Sequence, residues 1–281
     1  MEEQPLVSVI CLCFNQVRFV SEAIKSVSMQ TYRNIELIVV DDASTDSSIE
    51  IIKSTIEQLS IPVKTHFNIE NAGNCEAFNQ GLKLSSGKYI VDLAADDILL
   101  KDRVKVGVSE LEQLPNNFGV HYCEASHIDE KGIPLTKPAA KKPAKFTGDI
   151  YQELIEYYWI NPATMMTRKF VLEALNGYDE TLSYEDFDFW IRSSRSFQYA
   201  YSSKTLIQKR IVSNSLSMQQ KIIRNHHEHS TFKVCQKIKD LNASVEEDDA
   251  LKKRLDYEMS RCLRLAHFKL AYRYWQLKRS L

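Results

Sequence analysis

The sequence predicts an α/β fold in which helices cover both faces of a mainly parallel sheet, followed by a helical extension at the C-terminal end. Two observations support this prediction. In the first half of the chain, short apolar runs rich in β-branched residues alternate with segments whose apolar residues recur at helical spacing. From Met218 onwards the pattern is helical almost throughout, with a break near residues 241–243. Because these runs are nearly continuous in apolar residues, as strands buried on both faces are, a parallel sheet covered on both faces is expected.

Five apolar runs predict the strands of the first half, and the segments between them predict helices. The strands are residues 6–13, 35–40, 62–67, 89–93 and 119–123. The helices are residues 18–30, a helix capped by Asp46 or Ser47 that carries Ile49, Ile52 and Ile56, residues 72–84, and residues 102–114. This alternation gives the strand–helix–strand connections of a parallel sheet.

The second half is less regular. Residues 129–145 are rich in Pro, Lys and Ala and predict a loop. Residues 149–158 and 169–175 then predict helices, residues 163–167 an extended segment, and residues 183–196 an aromatic helix that opens with acidic residues. We place a domain boundary after Ser217, which gives a main domain of residues 1–217 and a basic, amphipathic helical extension of residues 218–281.

The composition excludes several classes of protein. The chain has 281 residues, of which 44% are hydrophobic and 26% charged, close to the globular average. A net charge of −1 is unlike that of a whole-molecule nucleic-acid binder, so no nucleic-acid partner is expected. No apolar run approaches the roughly 20 residues that span a bilayer, and the acidic N-terminus lacks the basic region of a signal peptide. Six cysteines without a CxxC pair are typical of a cytoplasmic protein with reduced thiols.

The charge is distributed unevenly. Residues 252–281 contain nine basic and two acidic residues, so this segment carries +7 and the remaining 251 residues carry −8. The segment also contains Phe268, Tyr272, Tyr274 and Trp275 among apolar residues at helical spacing. Basic, aromatic, amphipathic helices of this kind bind anionic lipid surfaces. A helix packed on the main domain, with solvated cations, explains the pattern equally well, and both interpretations stay open.

Two common nucleotide-binding motifs are absent. No two glycines are two residues apart, which excludes the GxGxxG fingerprint. Residues 81–88 read GLKLSSGK, which is one residue too long for a P-loop, and Tyr89 follows where Ser or Thr is required. These departures argue against a dehydrogenase and against an ATPase.

Three acidic pairs lie at the ends of predicted core elements: Asp41-Asp42, Asp96-Asp97 and Glu185-Asp186. A single pair of this kind is commonly a helix cap or a turn, but three pairs at the ends of core elements indicate a binding site. The first two pairs follow strands, and their carboxyl ends are expected to form one crevice. Carboxylates bind a nucleotide diphosphate only through a divalent cation. Another carboxylate can accept the imide N–H of uracil, and a third can act as a general base on a sugar hydroxyl.

The opening stretch PLVSVICLCFNQVRFVSEAIKSVSMQTYRNIELIVVDDASTD resembles that of glycosyltransferase family 2 enzymes, which have the Rossmann-like GT-A fold. The similarity continues in Asn71-Ala72-Gly73, in YIVDLAADDILLKDR, in GYDE and in YEDFDFWIR, and together these motifs cover roughly residues 5–217. The resemblance implies an inverting enzyme that moves a sugar from a nucleotide-diphosphate donor in a single displacement, with Mn or Mg as its divalent cation.

The resemblance also implies roles for individual residues. Asp186 would be the general base, with Glu185 beside it as the second catalytic position. Asp96 would bind the metal at the end of the family's DxD motif, with Asp97 as a further ligand. Seven residues would line the nucleotide, with Asp42 at the nucleobase: Cys13, Asn15, Asp42, Asn71, Gly73, Ala95 and Asp96.

Three positions depart from the family pattern. Ala94 stands where the DxD motif usually has its first acid, and Phe78 stands where the family often has an Arg. Residues 210–217 read RIVSNSLS, without the His that the family often carries near the metal. A non-catalytic module that binds a sugar nucleotide or a glycan is therefore the alternative function.

The expected partners follow from this interpretation. They are a nucleotide-diphosphate sugar, with UDP favoured and TDP open, and a glycan or lipid-linked acceptor in bacterial surface polysaccharide synthesis. An anionic membrane surface on the inner face of the cell membrane would be a further partner through the C-terminal helix. A homo-oligomer stays open.

Overall fold

A computed structural model describes residues 4–136, 146–157, 159–212 and 227–281. Its strands are β1 (Val7–Cys13), β2 (Ile35–Asp41), β3 (Val63–Phe67), β4 (Tyr89–Ala94), β5 (Ile98–Leu99), β6 (Phe118–Ile128), β7 (Pro134–Leu135), β8 (Met166–Arg168) and β9 (Gln198–Arg210). Its helices are α1 (Val20–Ser28), α2 (Ser48–Ile56), α3 (Asn74–Leu84), α4 (Arg103–Glu112), α5 (Tyr151–Glu156), α6 (Lys169–Ala174), α7 (Asp186–Ser194), α8 (His227–Leu241), α9 (Val245–Arg264) and α10 (Phe268–Arg279).

The strands form one mixed sheet in the order β3-β2-β1-β4-β8-β6-β9-β5, with β7 paired to β6. β1 pairs in parallel with β2 and β4, and β2 pairs in parallel with β3. Because Cys13 pairs with Asp41 and Leu12 pairs with Ala94, the carboxyl ends of β1, β2 and β4 lie level with one another. The residues that directly follow these three strands therefore meet at one edge of the sheet.

Helices cover both faces of the sheet, as predicted. On one face, Val9 and Cys11 of β1 share an apolar core with Ile24 of α1 and Val104 of α4. On the other face, Ile10 of β1 packs in a second core with Phe78 of α3. Successive residues of a strand point to opposite faces, so the continuous apolar run of β1 is explained by burial on both sides.

The C-terminal helices extend the second of these cores. Ile238 of α8 and Leu255 of α9 are buried with Leu154 of α5 and Phe187 of α7, so one face of the extension packs on the main domain. The predicted break after α8 is present at Asn242–Ser244. The predicted helical residues 218–226 lie outside the described residues, and the boundary after Ser217 stays a prediction. No described helix has the length and apolar composition needed to cross a membrane.

The early elements are confirmed within a few residues, whereas several later predictions need correction. The extended segment predicted over residues 163–167 begins as a 3-10 turn, Pro162–Thr164, before β8. The loop predicted over residues 129–145 contains β7, and residues 137–145 lie outside the described part of the chain. The longest strand, β9, was not predicted because its sequence, QYAYSSKTLIQKR, mixes polar and apolar residues without regular alternation. β9 runs parallel to β6.

Candidate active site

The site is built at the level carboxyl ends of β1, β2 and β4. Backbone hydrogen bonds continue the sheet by one residue, since Asp42 N donates to Cys13 O over 2.8 Å and Ala95 N donates to Leu12 O over 2.9 Å. Cys13 and Ala95 are both buried, at 2% and 1% exposure. Burial raises the pKa of the Cys13 thiol to about 12. These two residues therefore shape the site through their backbone.

Asn15 joins the loop that follows β1 to the loop that follows β2. Its backbone adopts a φ of 53°, a left-handed conformation that Asn tolerates better than most residues. Its side-chain Oδ1 accepts hydrogen bonds from Thr45 N over 2.8 Å and from Asp46 N over 3.3 Å, and its own N donates to Ser44 Oγ over 2.8 Å. Asn15 thus holds two loops of the predicted nucleotide pocket in register.

Asp42 organises the loop of residues 68–73. Its Oδ1 accepts hydrogen bonds from Asn68 Nδ2 and Ala72 N, and its Oδ2 accepts one from Gly73 N, each over 2.8 Å. Asn71 Nδ2 donates to Asp42 O over 3.1 Å. A carboxylate offers about four acceptor positions, so three are used and one remains available. Gly73, at a φ of 90°, lets the loop turn into α3.

Asp97 and Asp96 are tied to the end of β9. Asp97 Oδ1 accepts a hydrogen bond from Arg210 N over 2.9 Å. Burial, and then the neighbouring Asp96 carboxylate, raise the pKa of Asp97 to about 7. Asp96 is only half-buried, and burial raises its pKa as well. Asp96 is therefore the more accessible of the two predicted metal ligands.

Arg210 holds this corner of the site in place through its side-chain contacts. Its guanidinium donates to Asp96 O and to Asp129 O over 3.1 Å each, and to the Glu22 carboxylate. The same group lies 4.8 Å from the centroid of the Phe19 ring. Since Arg210 is only 4% exposed, its charge is used within the protein.

Glu185 and Asp186 lie at the start of α7. Asn74, the first residue of α3, donates from Nδ2 to Glu185 Oε2 over 2.6 Å. Asp186 Oδ1 accepts from Phe187 N over 2.7 Å. Burial, followed by the Glu185 carboxylate, raises the pKa of Asp186 to about 7. A carboxylate with a pKa near the working pH is suited to take a proton from a sugar hydroxyl.

Two further residues of the site were not predicted. Asp92 of β4 accepts a hydrogen bond from the Tyr178 hydroxyl over 3.1 Å, and burial, followed by Glu185, raises the pKa of Asp92 to about 8. Lys209 of β9 lowers the pKa of four carboxyls, Asp96, Asp97, Glu185 and Asp186, against burial that raises them. Asp92 could have been predicted, because it is an acid inside the apolar run YIVDLA. No feature of the sequence distinguishes Lys209 from other lysines.

The acids at this corner could hold a divalent cation only together with ligands from another molecule. Within the described residues, no group of three or more His, Cys, Asp and Glu is arranged to hold a metal ion. Ala94 provides no ligand, and Asp97 is buried and already hydrogen-bonded. Mg²⁺ is commonly held by one or two carboxylates together with substrate phosphates. Asp96 would therefore hold the cation, with Asp97 behind it and phosphate oxygens as the remaining ligands.

The chain is similar in sequence to known glycosyltransferases. The model of glycosyl transferase family 2 matches residues 8–175. An uncharacterized glycosyltransferase of Rickettsia prowazekii (strain Madrid E) is 31% identical over 210 residues, which cover 74% of this chain and 64% of that protein. One from Haemophilus influenzae (strain ATCC 51907 / DSM 11121 / KW20 / Rd) is 32% identical over 240 residues, which cover 83% of this chain and 72% of that protein. The chain thus spans slightly less than two thirds of the Rickettsia relative.

Solved structures share the fold. S. aureus TarS 1–349 in complex with UDP-GlcNAc has a TM-score of 0.74 at 18% identity, over 91% of this chain and 73% of that one. The mannosyltransferase PcManGT from Pyrobaculum calidifontis, in complex with GDP-Man and Mn²⁺, has a TM-score of 0.65 at 17% identity, over 99% and 85%. The predicted fold class is therefore confirmed, and because the family model matches more than half of its residues, the chain belongs to glycosyltransferase family 2.

Proposed function

We propose that this chain is an inverting glycosyltransferase that moves a sugar from a nucleotide-diphosphate donor to a glycan or lipid-linked acceptor. One observation supports this function above all. The sheet edge that holds Asp42 and Asp96 is joined to the start of α7, because Asp42 binds Gly73 and the next residue, Asn74, donates to Glu185 beside Asp186. The residues that we propose for the nucleobase, the diphosphate and the base thereby lie at one end of the fold.

In the proposed mechanism, each carboxylate has a separate task. Asp42 accepts the nucleobase N–H at its remaining acceptor position, and Asn15, Asn71 and Gly73 hold the loops around the nucleoside. Asp186 takes the proton of the acceptor hydroxyl as that oxygen attacks the anomeric carbon and the nucleotide diphosphate leaves. A bound Mn or Mg ion would supply Lewis-acid stabilisation of the leaving diphosphate, held by Asp96 with Asp97 behind it.

The donor we favour is a UDP sugar. A carboxylate is an acceptor only, so Asp42 requires a base with a ring N–H at that edge, which uracil, thymine and guanine each provide. TarS was solved with UDP-GlcNAc and PcManGT with GDP-Man. The competing nucleotides are therefore UDP, TDP and GDP, and binding experiments separate them.

We infer the setting of the acceptor from the corner between α9 and α10. Four apolar side chains are exposed there: Leu263 at 54%, Phe268 at 67%, Tyr272 at 56% and Trp275 at 41%. At about 100° per residue, Phe268, Tyr272 and Trp275 share one face of α10. That face lies away from Leu270, Ala271 and Tyr274, which are buried. We call Leu263, Phe268, Tyr272 and Trp275 the aromatic corner.

The charge around the aromatic corner is positive. Lys252, Lys253, Arg254 and Lys278 of the basic tail form ion pairs with carboxylates. Within the described residues, the four cations Arg264, Lys269, Arg273 and Arg279 have no carboxylate partner. Each basic residue near an anionic leaflet contributes about 1 kcal/mol to binding. We infer that this corner docks on anionic lipid at the inner face of the cell membrane, next to a lipid-linked acceptor of bacterial surface polysaccharide synthesis.

Nucleotide binding tests the proposed function directly. Calorimetry with UDP, TDP, GDP and CDP, each with Mn²⁺ and with EDTA, would be run on the wild type and on Asp96→Ala. We expect one nucleotide to bind, with Mn²⁺ tightening binding in the wild type at least tenfold more than in Asp96→Ala. Turnover would then be assayed with sugars of that nucleotide. A folded protein that binds none of the four contradicts the proposal. Nucleotide binding without transfer to any acceptor or to water favours the non-catalytic module.

A further inference from the structure

We propose that Lys209 binds the diphosphate of the donor, and so provides a side-chain cation for the leaving group in addition to the ion held by Asp96. This inference rests on the proposed function, and it concerns a residue outside the segment that the family model matches. An anionic donor would be repelled by the carboxylates of this site unless positive groups lie near its diphosphate.

The backbone of β9 places Lys209 beside the metal-binding end. β9 pairs with β5, and Gln208 lies opposite Ile98, the residue that follows Asp97. Lys209 is the next residue along β9. The next residue, Arg210, donates its backbone N–H to Asp97 Oδ1 over 2.9 Å. The Lys209 side chain is half-buried, and its Nζ lies 3.3 Å from Asn161 Oδ1. The strand and Asn161, the residue that caps the 3-10 turn, therefore fix the position of the Lys209 side chain.

The contacts of the Lys209 ammonium group leave it able to bind a ligand. The Lys209 charge lowers the pKa of carboxyls in both the Asp96-Asp97 and the Glu185-Asp186 pair, against burial that raises it. Its hydrogen bond is to the neutral side-chain amide of Asn161. Arg210, by contrast, is used by the Glu22 carboxylate and by two backbone carbonyls.

Chemistry favours a diphosphate as the partner of this group. A Lys ammonium is a compact point charge with three donors, which suits phosphate oxygens that shift as the leaving group departs. Cations placed where negative charge develops in the transition state are a common source of rate enhancement. With Ala94 in place of an acid, the site has one fewer negative charge to compete with the diphosphate for Lys209.

The test compares a nucleotide diphosphate with its nucleoside. UDP, or the diphosphate that the nucleotide panel identifies, and the matching nucleoside would be titrated into wild type, Lys209→Met and Lys209→Arg, with EDTA and with Mn²⁺. We expect Lys209→Met to weaken diphosphate binding at least tenfold in both conditions, to leave nucleoside binding within threefold, and to reduce the salt dependence of binding. Lys209→Arg retains most of the affinity. The control is Lys204→Met on the same strand, where the side chain is 63% exposed.

The outcomes separate this inference from the function on which it rests. Unchanged or tighter diphosphate binding by Lys209→Met overturns the role of Lys209 while leaving the donor site intact. Equal loss of diphosphate and nucleoside binding also overturns it, because the residue would then support the fold of the site. A wild type that binds no nucleotide contradicts the proposed function, and the Lys209 inference with it.

Discussion

Asn74 donates a 2.6 Å hydrogen bond to Glu185 and thereby joins the start of α3 to the start of α7. The bond lowers the pKa of Glu185 against burial, which raises it. The Glu185 carboxylate in turn raises the pKa of Asp186. Asn74 is therefore a positioning residue that sets the basicity of the proposed base through its neighbour.

The first prediction concerns this relay. In Asn74→Ala, Glu185 loses a hydrogen-bond donor, so its pKa rises and it is protonated more of the time. The negative charge beside Asp186 is then smaller, and the pKa of Asp186 falls. We expect kcat to fall about tenfold, and the acid limb of the pH–kcat profile, near pH 7 in the wild type, to move to lower pH. Donor affinity stays within threefold. Asn34→Ala, which removes a bond only to Gln4 O, is the control. An acid limb that does not move contradicts the relay.

The second prediction compares two acids on α7. Asp186→Asn removes the base and is expected to lower kcat by at least about 10³-fold, with donor affinity and stability nearly unchanged. Asp188 is 1% exposed and paired with both Arg192 and Lys237. Asp188→Asn breaks buried ion pairs and is expected to cost about 3 kcal/mol of the free energy of unfolding. Equal effects of the two substitutions on kcat, measured on folded protein, would count against Asp186 as the base.

The third prediction concerns Asp92 and pH. Its pKa is about 8 in the folded protein, against an ordinary value of 3.8, with Glu185, Asp97 and the Tyr178 hydroxyl facing it. The folded state keeps a proton that the unfolded chain releases, so this group's contribution to stability falls as the pH rises from about 4 to about 8. Asp92→Asn should gain stability relative to wild type by about 3–4 kcal/mol between pH 5 and pH 8, since each pH unit in this window contributes about 1.4 kcal/mol.

Urea unfolding at the two pH values measures this difference. The control is Asp249→Asn, where the side chain is 59% exposed, and it should change little with pH. If the gap between Asp92→Asn and wild type is the same at pH 5 and pH 8, Asp92 is ionised in the folded protein and the prediction is wrong.

The fourth prediction tests the aromatic corner. Wild type should sediment with vesicles that contain about 30% phosphatidylglycerol in phosphatidylcholine, and much less with phosphatidylcholine alone. Because each cation contributes about 1 kcal/mol at an anionic surface, Arg264→Glu combined with Arg279→Glu should reduce binding at least tenfold. Trp275→Ala combined with Phe268→Ala should reduce it as well.

The matched control reverses two exposed cations elsewhere, Lys25→Glu with Lys105→Glu, and should lose less affinity. Equal losses from both double variants would indicate attraction by net charge without a specific surface. If the wild type ignores anionic vesicles but forms dimers that Trp275→Ala with Phe268→Ala dissolves, the corner binds a second copy of the chain and the lipid proposal is wrong.

The sequence contained enough information for the parallel half of the sheet and for the acids at its edge. β1 and β2 are apolar at most positions because both of their faces are covered, and the run of β2 ends visibly at Asp41-Asp42. The strand β9 could not be predicted in this way. Its partners, β6 and β5, lie far away in the sequence, and its mixed composition has no local period.

The same limit applies to the site. Asp42, Asp96 and Asp186 belong to recognisable motifs, so each could be identified without knowing its neighbours. Lys209 and Asn74 acquire a role only through what they approach in space: two acidic pairs for Lys209 and Glu185 for Asn74. Local patterns identify the ends of elements, whereas the pairing of distant segments decides which side chains meet.

Arg210 connects α1, the segment after β4 and the segment after β6 through Glu22, Asp96 and Asp129. These contacts link the first helix of the chain to β9, so we expect this corner of the site to open as one unit. Amide protons near Asp97 and those of β9 should therefore exchange with solvent in a single cooperative event, which makes hydrogen exchange at this corner a report on the integrity of the whole sheet.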